Sequence, residues 1–281
     1  MLDNRFASLL SGRYFANVVR PFSMRERLKI SGFTNLFSLQ TRRPEAIRVM
    51  NDYLQWGGFP ETVLHEMTDD VKTELLQSYY DSIVLKDCVA YSRIRDTELF
   101  YRLLHFLLTN VGNIFNYSSL ARSLSSNENT VRNYLSYASR SYVLADVTNF
   151  SWSLKTGSRA EHKAYCIDNG LMNAISFRFS SQKGALLENA VYNELCNKGY
   201  ADITFVKNNR ECDFVARKDG CFHAFQVCSE LMDQNSLREQ QGFKCLTGVT
   251  ETASYTIITF NQHEEIDGVQ VLPFYVWAMK G

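Results

Sequence analysis

The chain has 281 residues, 45% hydrophobic and 21% charged, the profile of a globular protein with room for two or three domains. Thirty Lys and Arg balance thirty Asp and Glu, so bulk charge offers nucleic acid no attraction and binding would need a local patch. No stretch approaches the roughly 20 apolar residues of a membrane span, and the opening MLDNRFASLL lacks the apolar core of a signal peptide.

The seven cysteines are scattered, odd in number and without a C-x-x-C pair. That spacing argues against a zinc site or a disulfide framework and predicts reduced thiols in a cytoplasm.

Residues 1–35 hold a short strand-like run and Pro21, too little to form a sheet alone, and read as a piece of something larger. Residues 36–110 predict a helical region. RRPEAIRVMNDYLQW has helical apolar spacing and stops at Gly57-Gly58, and Pro60 opens the next helix. VKTELLQSYYDSIVLKDCVA and DTELFYRLLHFLLTNVG are two further amphipathic helices.

Residues 111–175 change character. Two short helices, the first capped by Ser118, flank a turn at Ser125-Ser126-Asn127. YVLADVTNF and KAYCIDN follow as strands around the basic tip SLKTGSRAEHK. Helix, turn, helix and a two-stranded wing is the winged-helix order. It makes Asn127, Asn129, Thr130, Arg132 and Asn133 candidates for the DNA groove, and Lys155, Arg159 and Lys163 candidates for phosphate contact from the wing. Winged helices also bind proteins, so a partner role stays open.

Residues 176–281 alternate helix and strand as αβββαβ, ending in a strand-like VQVLPFYVWAM. This order is the skeleton of a metal-dependent nuclease. Its first helix supplies a Glu, here Glu188, and its second strand an Asp, here Asp213. Hard oxygens of this kind hold Mg²⁺, which generates the attacking hydroxide. The plainer alternative for both is a solvent-facing charge or a structural hydrogen bond.

The third strand should carry a carboxylate, one residue and a lysine. It carries Gln226-Val227-Cys228. Gln226 can offer one carbonyl oxygen, whereas Cys228 cannot replace the lysine's charge and reads as a small buried residue. Lys207 or Lys244 could reach the site from elsewhere. The chain contains no G-x-x-x-x-G-K-[ST] phosphate cradle, and its five histidines are dispersed.

LLSGRYF, YLQWGGFPE, YYDSIVLKDCV, TVRNYLSY, YCIDNGL, GALLENAVYNEL and ECDFV, in this order, resemble the C-terminal two-thirds of prokaryotic AAA-type ATPases. In that family an ATPase core precedes a winged helix and a restriction-endonuclease-like domain. The resemblance implies Walker segments upstream of residue 1, hence a truncated or separately encoded member with no ATPase activity of its own. It also puts Arg13 near the family's nucleotide-sensing arginines.

The expected fold is multidomain α and α/β: an ATPase remnant (1–35), a lid-like helical region (36–110), a winged helix (111–175) and a restriction-endonuclease-like domain (176–281). The expected function is a DNA- or protein-binding module with a degenerate nuclease site at Glu188, Asp213 and Gln226. The alternatives are a Mg²⁺-dependent DNA endonuclease with a relocated lysine, its metal on Glu188 and Asp213, or a subunit that joins an intact ATPase and supplies Arg13 in trans.

Overall fold

The computed structural model describes residues 17–150, 161–176, 183–232 and 239–280. The amphipathic spacing of the first third yields helices. α1 (Met24–Ile30) opens with a capping box: Glu26 N–H donates to Ser23 Oγ at 3.2 Å, and Ser23 N–H to the Glu26 carboxylate at 2.8 Å. α2 (Leu36–Thr41) and α3 (Arg43–Trp56) follow, and α3 ends at Gly57 with φ 72°. α4 (Pro60–Leu64) starts at its proline. α5 (Asp69–Ser82) runs into a π-helical stretch (Ile83–Ala90), and α6 (Thr97–Thr109) is capped by Asp96. The strand-like run of the first 35 residues falls largely outside the described residues.

β1 (Ile114–Phe115), α7 (Tyr117–Ser123), α8 (Glu128–Arg140), β2 (Leu144–Thr148) and β3 (His162–Cys166) form the next unit. Its antiparallel sheet has the order β1-β3-β2, so it holds three strands rather than the expected two. The cap of α7 is Asn116, which accepts the Ser119 N–H at 2.8 Å, and not Ser118. Ser118 instead donates its hydroxyl to the Asn116 side chain at 3.0 Å.

α9 (Asn169–Ile175) leads to α10 (Lys183–Asn197), after which Gly199 takes φ 77°. β4 (Ala201–Lys207), β5 (Glu211–Lys218) and β6 (Cys221–Val227) form an antiparallel meander. β7 (Thr252–Thr259) runs parallel to β6, and β9 (Val269–Pro273) parallel to β7. β8 (Glu264–Ile266) is an antiparallel edge, giving the order β4-β5-β6-β7-β9-β8. A 3₁₀ turn (Phe243–Leu246) lies between β6 and β7, where the αβββαβ order places its second helix.

The last segment departs from the strand expectation. After Pro273 the chain turns into α11 (Phe274–Met279), whose side chains are nearly all buried. A short run that is apolar on every side has no period to separate strand from helix, and the buried wall it meets decides. α11 packs on α1 and α3, so the two ends of the described chain share one core from Met24 to Met279. A second cluster, including Val206, Val215, Cys228 and Ile257, packs on the six-stranded sheet. Among the described residues the protein is therefore a mixed α/β structure with two sheets.

Candidate functional site

Strand alternation places Lys163 and Tyr165 on one face of β3, and Glu211 and Asp213 on one face of β5. α10 brings Glu188 between them. The Lys163 ammonium lies 2.8 Å from Glu211 Oε1, 3.1 Å from Glu188 Oε1 and 3.5 Å from Asp213 Oδ1. An ammonium has three N–H donors, and here three carboxylates face them. The Lys163 side chain is 2% exposed, Asp213 12%, Glu188 17% and Glu211 35%, so the cluster opens to solvent on the glutamate side.

Neighbouring groups fix each member. The Tyr165 hydroxyl donates to Glu188 Oε1 at 2.6 Å, and the Phe205 ring lies 5.4 Å from the Lys163 ammonium. Gly112 takes φ 79°, which favours glycine, and a Cβ there would come within 2.9 Å of Glu188 Oε2 and push that carboxylate aside. Asp213 Oδ2 accepts the Val227 N–H at 2.9 Å. Gln226 Oε1 accepts the Asp213 N–H at 3.3 Å, while Gln226 Nε2 donates to the buried Glu239 carboxylate at 2.9 Å.

Burial pushes the Asp213 carboxyl well above its usual range against the pull of Lys163, and Glu188 and Glu211 add to the rise. Burial also works against the Lys163 charge, but Glu188, Asp213 and Glu211 outweigh it and hold the amine protonated well above its usual range. The Tyr165 phenol is driven far up by burial and then by Glu188.

The oxygen chemistry of Glu188, Asp213 and Glu211 suits Mg²⁺. Their disposition does not. Among the described residues no three His, Cys, Asp or Glu side chains are placed to hold a metal, and an ammonium stands among these carboxylates. The Gln226 carbonyl is turned to the backbone of Asp213. No metal step follows from this arrangement.

The structure brings Glu188, Asp213 and Gln226 together. It removes Lys163 from the wing surface and buries it, a correction with a simple cause: the second sheet covers β3, so the ammonium finds carboxylates and not phosphate. Cys228 lies just past β6, buried, its N–H donating to Ile258 O at 3.1 Å. Lys207 and Lys244 are both solvent-exposed.

On α8, Asn127 spends its side chain capping the helix, accepting the Thr130 N–H at 2.9 Å. Asn129, Arg132 and Asn133 are exposed and Thr130 is half-buried. Arg132 pairs with Glu128 at 2.9 Å and lies over the Tyr117 ring. Lys155, Arg159 and Arg13 lie outside the described residues.

Sequence reasoning misses Lys163 as a member of the cluster, along with Glu211, Tyr165 and Glu239. The alternations Lys163-x-Tyr165 and Glu211-x-Asp213 are visible in the chain, but only the packing of one sheet on the other shows that they meet.

Two of the sequence pieces, WGGFPE and YCIDNGL, meet at a second buried carboxylate. Asp168 accepts the Gly170 and Leu171 N–H groups at the start of α9 and the Gly58 N–H at 2.7 Å. A Cβ on Gly57 would fall 2.0 Å from Asp168 Oδ1, and one on Gly58 2.0 Å from Phe22 O.

Residues 47–182 match a domain family of unknown function, DUF8612. The chain is also similar to an uncharacterised protein of Methanocaldococcus jannaschii, 29% identical over 99% of this chain and 66% of the relative. An uncharacterised protein of Haemophilus influenzae is 25% identical over 100% of this chain and 68% of the relative. The chain thus spans about two thirds of the length of these curated relatives. No solved structure matches. Among the described residues, no helix is long and apolar enough to cross a membrane.

Proposed function

We propose that the chain is a binding module in which a winged helix is fixed to a nuclease-like α/β domain that serves as its scaffold. The observation that carries this reading is the Lys163 ammonium, which engages Glu188, Glu211 and Asp213 and ties β3 to α10 and β5. The order β1, α7, α8, β2, β3 supports the winged helix, and the exposed Asn129, Arg132 and Asn133 on α8 support DNA as its target. In keeping with the resemblance to AAA-type ATPases, the module would act beside an ATPase core, in a longer chain or a partner subunit.

Binding to duplex DNA tests the reading. Log affinity should fall with log salt at about 0.9 per phosphate neutralised, and Arg132→Ala should weaken binding and make that slope shallower. Undetectable binding at low salt would remove DNA as the target.

A second reading has its own observation. Three carboxylates face one ammonium, an excess of negative charge in a partly buried site, and strongly shifted groups of this kind gather at working sites. On this reading the chain is a Mg²⁺-dependent endonuclease with Lys163 as the relocated lysine, and its carboxylates would have to rearrange around the metal. DNA cleavage in Mg²⁺ or Mn²⁺ that vanishes in Asp213→Ala would establish it and overturn the scaffold.

A further inference from the structure

Away from the lysine cluster, a cavity of about 460 Å³ opens between α8, β2 and the segment before α1. Its volume lies within the roughly 300–1,000 Å³ of small-molecule sites. Among the described residues two arginines line it, Arg20 and Arg132. Among the described residues no carboxylate pairs with Arg20, and the partner of Arg132 is the part-exposed Glu128.

Among the described residues the one carboxylate in the wall is Asp146. It accepts the Tyr117 hydroxyl at 2.5 Å and meets His162 Nδ1 at 2.8 Å. Two arginines thus stand in the wall against one carboxylate. Ser139 also lines it, and its Oγ is buried with no hydrogen-bond partner among the described residues. A buried hydroxyl without a partner is costly unless something else meets it. Tyr142, 36% exposed, adds an accessible aromatic face.

We propose that this cavity binds a free mononucleotide, with its phosphate between Arg20 and Arg132 and its base against Tyr142. Guanidinium groups bind phosphate through paired, charge-assisted hydrogen bonds, and a flat base gains from an aromatic surface. This inference shares Arg132 with the DNA reading but does not rest on it, since it concerns a small ligand in a recess rather than a duplex on an exposed helix face.

Calorimetric titration of the full chain with AMP, adenosine and inorganic phosphate tests it. AMP should bind with a dissociation constant below about 1 mM, and adenosine and phosphate at least about tenfold more weakly. Arg20→Gln, in a segment without regular structure, and Arg132→Gln should each weaken AMP about tenfold or more, with the thermal midpoint of the ligand-free protein confirming that each variant folds.

No heat with AMP, or AMP binding unchanged in both arginine variants, overturns the proposal. Phosphate binding as tightly as AMP overturns the role given to the base.

Discussion

Lys163 and Asp168 play comparable parts at two places in the fold. Each is a buried charged group that holds together segments remote in sequence. Removing the ammonium leaves Glu188, Glu211 and Asp213 facing one another without a cation. Lys163→Met should therefore cost about 3–5 kcal/mol in denaturant unfolding. The loss should be greater at pH 8 than at pH 5, because acid protonates the stranded carboxylates. Asp168 shows its pH dependence directly. Burial raises its carboxyl to about 6, against an unfolded value of about 3.9. Between those values the folded chain holds more protons than the unfolded one, so this group's contribution to stability falls as pH rises from about 4 to about 6. Asp168→Asn should flatten that part of the stability profile. It should also cost about 1–3 kcal/mol, since an amide cannot accept from both the α9 start and Gly58.

Individual helices and turns are held by local signals that can be tested one at a time. Asn116 and Ser118 stand near the start of α7, but only Asn116 accepts a backbone N–H from the first turn. Thermal unfolding should show a loss of about 1 kcal/mol for Asn116→Ala and a much smaller loss for Ser118→Ala. The join between α3 and α4 is tighter. Gly58 meets the Phe22 carbonyl so closely that Gly58→Ala should cost about 3 kcal/mol or more, measured by the same unfolding curve. WGGFPE is legible as a helix stop and start from its glycines and proline. Its contacts with Phe22 and Asp168 are not, because both partners lie far from it along the chain, Asp168 by 110 positions from Gly58.

The two ends of the described residues meet in one core. α11 packs on α1 and α3 within one continuous core, so the last helix belongs to the same cooperative unit as the first. Deleting residues 274–281 should lower the unfolding midpoint of the entire chain and leave the α1–α3 region susceptible to proteolysis, as judged by fragment mapping. An unchanged midpoint would mean that α11 is an appendage. The same closure explains why segments that look separable along the sequence share buried residues. Glu194 in α10 accepts the Met24 N–H at 3.0 Å, and Lys163 in β3 reaches Glu211 and Asp213 in β5.

Most helices and strands are readable from the chain, because helical and alternating apolar periods, glycine stops and proline starts are local properties. Glu188, Asp213 and Gln226 can be marked as a set on the same basis. Two things emerge only from the packed molecule: Lys163 joins that set, and VQVLPFYVWAM divides into a strand and a helix. The physical reason is common to both. A lysine or an apolar run carries no local mark of what will cover it, and its environment is set by whichever sheet or helix packs there.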